Sequence, residues 1–492
     1  MVNIMLHENA TLVDVKHEVL YKVAKAAFEG ELDKAEDRIP YEIIPGPNPS
    51  FRCCIYKERE VVRERISLAK NRDPITGEPC HNTVQILPAA CEGCPITRYV
   101  VTDNCQKCMV KKCQSSCNFG AISMFKDKAY IDPQKCRECG RCHDACPYNA
   151  IADLLRPCKK ACPVDAIGMD ENMHVRIDDE KCIRCGACIM GCPFGAVSDS
   201  SRMTEVIDYL LSDKPVYAMV APAGEGQFGA GITMESLRDG LKELGFKDMV
   251  EVSLGADYVA MSEAQEWNEA YTTGKKMTTS CCPAFVHMIN RHFPELAKNI
   301  STTVSPMSAT SRLIRAMDPE AVCIFIGPCI AKKSEAGQYQ HIHGENADLV
   351  LTFEELQAMF QAKEIELKPR EVEEQQGSIY GKNFSKSGGV TKAVLEAMSE
   401  LGDHDDYKVL TCNGAAECKK ALLLLKADRL PENFIEGMIC TGGCVNGPGS
   451  VKPLAQSKAD CSKELAKVDA RTIEGSIAAQ GDLKFSMHRS NG

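Results

Sequence analysis

The stretch TSCCPAF, Thr279 to Phe285, decides how the rest of this 492-residue chain is read. It follows a short polar-apolar run, 275–279, and precedes an amphipathic segment, 284–293. Cys281 and Cys282 are therefore expected in a turn where a strand end meets a helix start, which is where open α/β sheets place their chemistry. Two other cysteine sites repeat the arrangement: the apolar run 321–326 ends in GPCIAKKSE, and 434–439 ends in CTGGCVNGPGS. Three strand ends would then present cysteines to one point.

Outward from that stretch the pattern is α/β. Apolar runs at 216–221, 250–254, 321–326, 349–351, 409–411 and 434–439 read as strands. Amphipathic stretches at 233–245, 257–271, 306–317, 353–362, 389–401 and 415–427 read as helices. Residues 202–492 are expected to form one catalytic domain of mixed α/β type.

Upstream, over 89–201, the composition changes to a cysteine-dense segment. Cys136, Cys139, Cys142 and Cys146-Pro147 have the Cys-x2-Cys-x2-Cys-x3-Cys-Pro spacing of bacterial ferredoxins, and Cys182, Cys185, Cys188 and Cys192-Pro193 repeat it. Cys105, Cys108, Cys113 and Cys117 form a variant with one longer gap. Such a loop wraps three thiolates around one cubane while the fourth cysteine serves a neighbouring cluster. Zinc competes for isolated Cys-x-x-Cys pairs, but repeated four-cysteine runs with trailing proline favour iron-sulfur cubanes.

Exchange of the fourth ligand gives one cluster on Cys105, Cys108, Cys113 and Cys146 and another on Cys136, Cys139, Cys142 and Cys117. With that core inserted between Cys94 and Cys158, a second pair follows: Cys91, Cys94, Cys158 and Cys192, and Cys182, Cys185, Cys188 and Cys162. The endings CNFGAI, CPYNAI, CPVDAI and CPFGAV support four half-units. Four accessory 4Fe-4S clusters are expected, with two as the floor.

Composition bounds the remaining possibilities. A hydrophobic share of 44% and a charged share of 26% suit a soluble globular protein of two or three domains. A net charge of -10 argues against a general nucleic-acid binder. The 28 cysteines would suggest extracellular disulfides. However, the N-terminus carries charges where a signal peptide needs an apolar core, and no run reaches membrane-span length. A cytoplasmic, metal-binding chain is the expectation. Residues 1–88 read as a mostly helical N-terminal segment, with helices near 12–27 and 55–70. Its Cys53, Cys54 and Cys80 read as idle or buried thiols or as extra ligands.

The motifs around Cys282, Cys329 and Cys440 to Cys444 resemble, in order, the three signatures of the iron-iron (FeFe) hydrogenases, over about residues 203–462. The resemblance implies a monomeric, anaerobic, ferredoxin-type iron hydrogenase behind a multi-cluster ferredoxin-like domain. Its catalytic fold would be two small sheets flanked by helices, with the active-site cleft between them. It implies that Cys282, Cys329, Cys440 and Cys444 hold the 4Fe-4S part of an H-cluster. Cys444 would bridge to a diiron subcluster with CO, CN and azadithiolate ligands, installed by maturation proteins.

Cys281, adjacent to a ligand and aimed differently, is implied to pass protons. Glu263, Ser301 and Glu266 would carry them outward. Lys332 would hydrogen-bond a cyanide, with Lys333 beside it an ordinary surface lysine. Met438, Phe384, Pro222 and Ala223 would pack on the diiron site. Gly327, Met307, Ala223 and Ala270 depart from the clostridial pattern and resemble the group B branch of the family. By analogy, the accessory cluster nearest the active site would be the one containing Cys192.

No dinucleotide fingerprint is evident, so a soluble ferredoxin or similar carrier is the expected electron partner. Lys107, Lys111, Lys112, Lys159 and Lys160 could dock it or merely solubilise the chain. Two other classes stay open: a hydrogen-sensing regulatory protein, and an iron-sulfur assembly protein lacking the diiron unit.

Overall fold

Parallel pairing of the C-terminal strands is what brings the distant cysteine turns to one edge. In the computed structural model, residues 11–489 are described, apart from 92–93, 95–96, 172–173, 339–345, 373–374 and 403–406. One sheet orders its strands Asp248–Glu251, Val216–Val220, Val322–Ile326 and Leu349–Leu351, all parallel. The other orders Met277–Thr278, Phe434–Met438 and Val409–Asn413, also parallel. Parallel sheets need both faces covered, which explains why Val322–Ile326 and Phe434–Met438 are buried along their whole length.

Helices fill the connections. Pro306–Met317 starts on Ser305, whose hydroxyl accepts the Ser308 amide, with proline in its first turn. Phe353–Ala362 starts on a Thr352/Glu355 capping box. The expected strand over 250–254 is corrected here: the strand ends at Glu251 and the helix Val252–Thr272 begins at once. The apolar run continues because Val252 and Leu254 are buried in the first helical turn. Continuous apolarity therefore does not mark the boundary.

The four pairs of short strands in the iron-sulfur region are nested. Tyr99–Val101 pairs antiparallel with Ile151–Asp153, closing an inner unit. Val84–Ile86 pairs with Val197–Asp199 around it. Hairpins Ile122–Met124 with Ala129–Ile131, and Ile167–Met169 with Val175–Ile177, complete the two units. An inner ferredoxin-like unit thus sits within the interrupted outer one.

The N-terminal helices Leu12–Phe28 and Ile55–Ala69 do not form a core of their own. Val15, Val19, Val23 and Ile66 share a cluster with Val216, Ile324 and Leu356 of the catalytic region. Between them lie two short helices, Leu32–Ala35 and Ile39–Ile43.

Candidate active site and its iron-sulfur approach

The second sheet delivers Cys281 and Cys282 after Met277–Thr278, and Cys440 after Phe434–Met438. Cys329 follows Val322–Ile326 of the first sheet, and Cys444 opens the short 3-10 turn Cys444–Asn446. All five cysteines line one mainly apolar cavity, together with Pro222, Ala223, Phe384, Met438, Met307 and Lys332. Every residue expected to hold or cover the cofactor is therefore on its wall.

Burial raises the thiols of Cys282, Cys329, Cys440 and Cys444, with Cys329 pushed up to about 11. Charge on Cys282 and Cys329 also raises Cys440 and Cys444, so the four thiols are close enough to feel one another. Such a set stays neutral without metal, and a cationic iron core is what would make it thiolate. Soft donors around a roomy, mainly apolar chamber fit a cubane with an attached group. Among the described residues no three metal-binding side chains close on a single-ion point. A cubane holds its sulfurs farther apart than one ion does.

Cys281 is buried, and its thiol is raised first by burial and next by Glu263. The Ser280 amide donates to Glu263 Oε1 at 3.3 Å, while Glu263 Oε2 is buried without a hydrogen-bond partner. Burial pushes Glu263 up to about 8 against the opposing pull of Ser280. Ser301 also acts on Glu263 and donates its hydroxyl to Glu266 at 2.7 Å. Glu266, half-buried, also accepts the Thr302 amide at 2.8 Å. Cys281, Glu263, Ser301 and Glu266 thus follow one another from the cavity outward.

Lys332 lines the cavity, but its ammonium is paired with Glu335 at 2.6 Å. The expectation of a surface Lys333 is corrected. Its side chain is buried and bridges Asp199 at 2.7 Å and Glu355 at 2.8 Å, linking the iron-sulfur and catalytic regions. Against the cost of burial, Lys333 and Lys16 hold Asp199 well below the usual carboxylate range.

The iron-sulfur cysteines form a repeated turn. Cys117, Cys146, Cys162 and Cys192 each accept the amide of the alanine four residues on, at 3.3–3.4 Å. Three residues after each, Gly120, Asn149, Asp165 and Gly195 are left-handed. Glycine, asparagine and aspartate are the residues that tolerate that conformation. Cys113 lies near Cys146 and Cys105, and Cys142 near Cys136 and Cys117. Cys158 lies near Cys192, Cys94 and Cys91, and Cys188 near Cys185, Cys182 and Cys162.

One expectation fails. Cys185, not Cys192, lines the active-site cavity and raises the Cys440 thiol. Cys162, Cys182 and Cys185 also pack in one cluster with Cys282 and Cys329. Cys192 instead faces Arg65 and Cys158.

Sequence reading passed over Ser280, although it stands inside TSCCPAF. It also missed Glu436, fully buried in the strand Phe434–Met438, which accepts the Gly388 and Thr391 amides at 2.7 and 2.8 Å. A glutamate inside an apolar strand was the available signal for it.

Cysteine turns converging on one buried cavity, with clustered cysteine loops leading to it, mark an iron-sulfur protein. Residues 214–448 match the C-terminal domain of the iron-only hydrogenase large subunit. Residues 129–152 match a 4Fe-4S binding domain, and 152–203 match the LdpA iron-sulfur cluster-binding domain. Iron hydrogenase 1 of Clostridium pasteurianum is 29% identical over 414 residues, covering 73% of this chain and 70% of that protein. A cytosolic iron-sulfur cluster assembly factor of Danio rerio is 22% identical over 294 residues, covering 49% and 72%. A solved FeFe-hydrogenase from Chlamydomonas reinhardtii superposes with a TM-score of 0.46 at 22% identity, covering 55% of this chain and 89% of that one. The chain is an iron-only hydrogenase-like protein with an iron-sulfur region N-terminal to its hydrogenase-like domain. No helix among the described residues is long and apolar enough to cross a membrane.

Proposed function

We propose that the chain reversibly reduces protons to dihydrogen at an H-cluster held by Cys282, Cys329, Cys440 and Cys444. The observation that carries this reading is the meeting of those four thiols with a fifth, Cys281, on one cavity wall. When bound, the cofactor supplies the iron at which electrons and protons combine. The protein's part is to bind it, keep bulk water away and move protons.

Cys281, a neutral thiol, gives a proton inward and takes one from Glu263. Glu263 is buried and kept protonated into the neutral range, so it can refill the thiol. Ser301 relays between Glu263 and Glu266, and Glu266 meets the surface beside Thr302. Met438, Phe384, Pro222 and Ala223 form the apolar cover. Lys332, paired to Glu335, places a cation at the wall to favour an anionic cofactor.

The cysteine quartets named above would hold four 4Fe-4S clusters, which would supply a path for electrons, and the quartet Cys162, Cys182, Cys185 and Cys188 stands nearest the cysteines of the cavity. A soluble ferredoxin or similar carrier delivers them, maturation proteins install the diiron unit, and the setting is cytoplasmic and anaerobic. We divide the chain into an N-terminal segment 1–88, which lends Val84–Ile86 to the iron-sulfur unit and shares its core with the catalytic region, an iron-sulfur domain 89–201 and a catalytic domain 202–492.

The test is infrared spectroscopy and hydrogen evolution from a reduced ferredoxin on the matured protein. Carbonyl and cyanide bands with turnover are expected. Their absence after maturation would favour an assembly role, the reading that the assembly-factor relatives support. Bands with negligible turnover but a hydrogen-dependent protein partner would favour a sensor.

A further inference from the structure

The relay of the proposed reaction is flanked by a segment far away in sequence. After the helix Ile473–Ala478 the chain returns along the catalytic region as an extended arm. Leu483 and Phe485 pack beside Met307, Leu313 and Phe325. Arg312 donates to the carbonyls of Ser486 and His488 at 2.6 and 3.0 Å. His488 bridges antiparallel to Thr303, the Val304 amide donates to the Met487 carbonyl at 2.8 Å, and the Arg489 amide donates to the Thr302 carbonyl at 3.0 Å. The arm is thus pinned alongside 302–304, where the Thr302 and Thr303 amides also serve Glu266.

This placement puts Arg489 at the relay. Its guanidinium Nη2 donates to the Ser280 carbonyl at 3.3 Å. Ser280 contacts Glu263 through both its amide and its hydroxyl, and that hydroxyl donates to the Thr303 carbonyl at 2.6 Å. Ser280 and Arg489 also line a half-polar cleft, along with His287, Ser305, Arg312 and Glu335. The turn that carries Cys281 is therefore held from outside by the arm and contacted from inside by Glu263.

We infer that Arg489 is a positioning residue for Glu263, fixing the Ser280 turn and setting a positive charge beside a carboxyl that has an unpartnered buried oxygen. Because Arg489 favours the ionised carboxylate, it limits how far burial can raise Glu263. The other groups that bear on Glu263 are Glu266 on its own helix, Ser280 and Cys281 on the cysteine turn, and Ser301 on the facing loop. Cys281 is not among the four proposed ligands. The inference builds on the reading of Glu263 as a proton carrier.

The test is an infrared pH titration of the Glu263 carboxyl band, identified by its loss in Glu263→Gln. It is recorded on the full-length chain with and without the diiron unit, alongside a thermal melt. In Arg489→Gln the midpoint should move to higher pH in both forms, and Arg489→Lys should restore most of that shift. A fold-competent Arg489→Gln protein with an unmoved midpoint would overturn the inference. So would a shift that Arg489→Lys fails to reverse at an unchanged melt, since that assigns the effect to arm packing alone. The band exists whether or not hydrogen is turned over, so a shifted band in an inactive matured protein would sink the functional reading and leave this one standing.

Discussion

Cys281 and Cys282 are chemically identical neighbours with different surroundings. Cys282 feels Lys332 and the amides of 284, 285 and 439, whereas Cys281 feels Glu263 and Glu436. Cys281→Ala should leave iron content and the infrared bands intact while turnover falls about 10²- to 10⁴-fold, the usual span of a lost general acid. Retained turnover would remove it from the relay. Glu263 adds a pH signature. Its folded value of about 8 lies above the ordinary 4.5, so its contribution to stability is fully present below 4.5. As pH rises between those values, the unfolded chain releases a proton that the folded chain keeps, so stability falls until the folded carboxyl also ionises. Glu263→Gln should flatten that fall in urea-unfolding free energies measured across the window; an unchanged slope would count against a buried neutral Glu263. The iron-sulfur cysteines could be read from side-chain type and local spacing, whereas Cys281, Glu263 and Glu266 were singled out only through the family resemblance, because two glutamates on one helix face look like solvated surface. Arg489 and the burial of Lys333 were legible in neither way, since each depends on a contact across more than a hundred residues.

At the scale of elements, legibility followed local chemistry. The half-unit turns could be read because each needs a left-handed residue three positions after its last cysteine, and glycine, asparagine or aspartate stands there. The start of Val252–Thr272 could not, because one apolar run serves the end of a strand and the first turn of a helix. The strand Phe434–Met438 is held at a set distance from the helix Pro283–His292 by a missing side chain: a Cβ on Gly437 would run into the ring of buried Phe285. Both elements carry cavity-lining cysteines at their ends. Gly437→Ala should cost about 1–3 kcal/mol of stability, the usual range for overpacking a filled core. It should also impair cluster retention, read as a lowered denaturation midpoint together with reduced iron per chain. An unaffected midpoint would show that the ring can move aside and that the spacing is not fixed there.

For the molecule as a whole, cysteine spacing suggested the proposed quartets but could not say which of them faces the cavity of Cys282 and Cys440. That depends on how the iron-sulfur region is docked, and the docking includes the ion pairs of Lys333, Asp199, Lys16 and Glu355 and the bonds of Arg291 to the Asp179 and Cys182 carbonyls, contacts between residues far apart in sequence. In the docked arrangement the Cys185 loop stands against Cys440, while Cys192 faces Arg65 and Cys158. On the proposed function, electrons entering by the exposed Cys139 loop would cross the Cys162, Cys182, Cys185 and Cys188 quartet last. The consequence separates electron supply from chemistry. Cys182→Ala should reduce hydrogen evolution from a reduced ferredoxin to near background. Hydrogen-deuterium exchange, which needs the active site but no net electron delivery, should persist at a substantial rate. Loss of both activities in a protein that keeps its carbonyl and cyanide bands would place this quartet within the catalytic unit instead. Undiminished evolution would mean that electrons reach Cys440 by a path that bypasses Cys185.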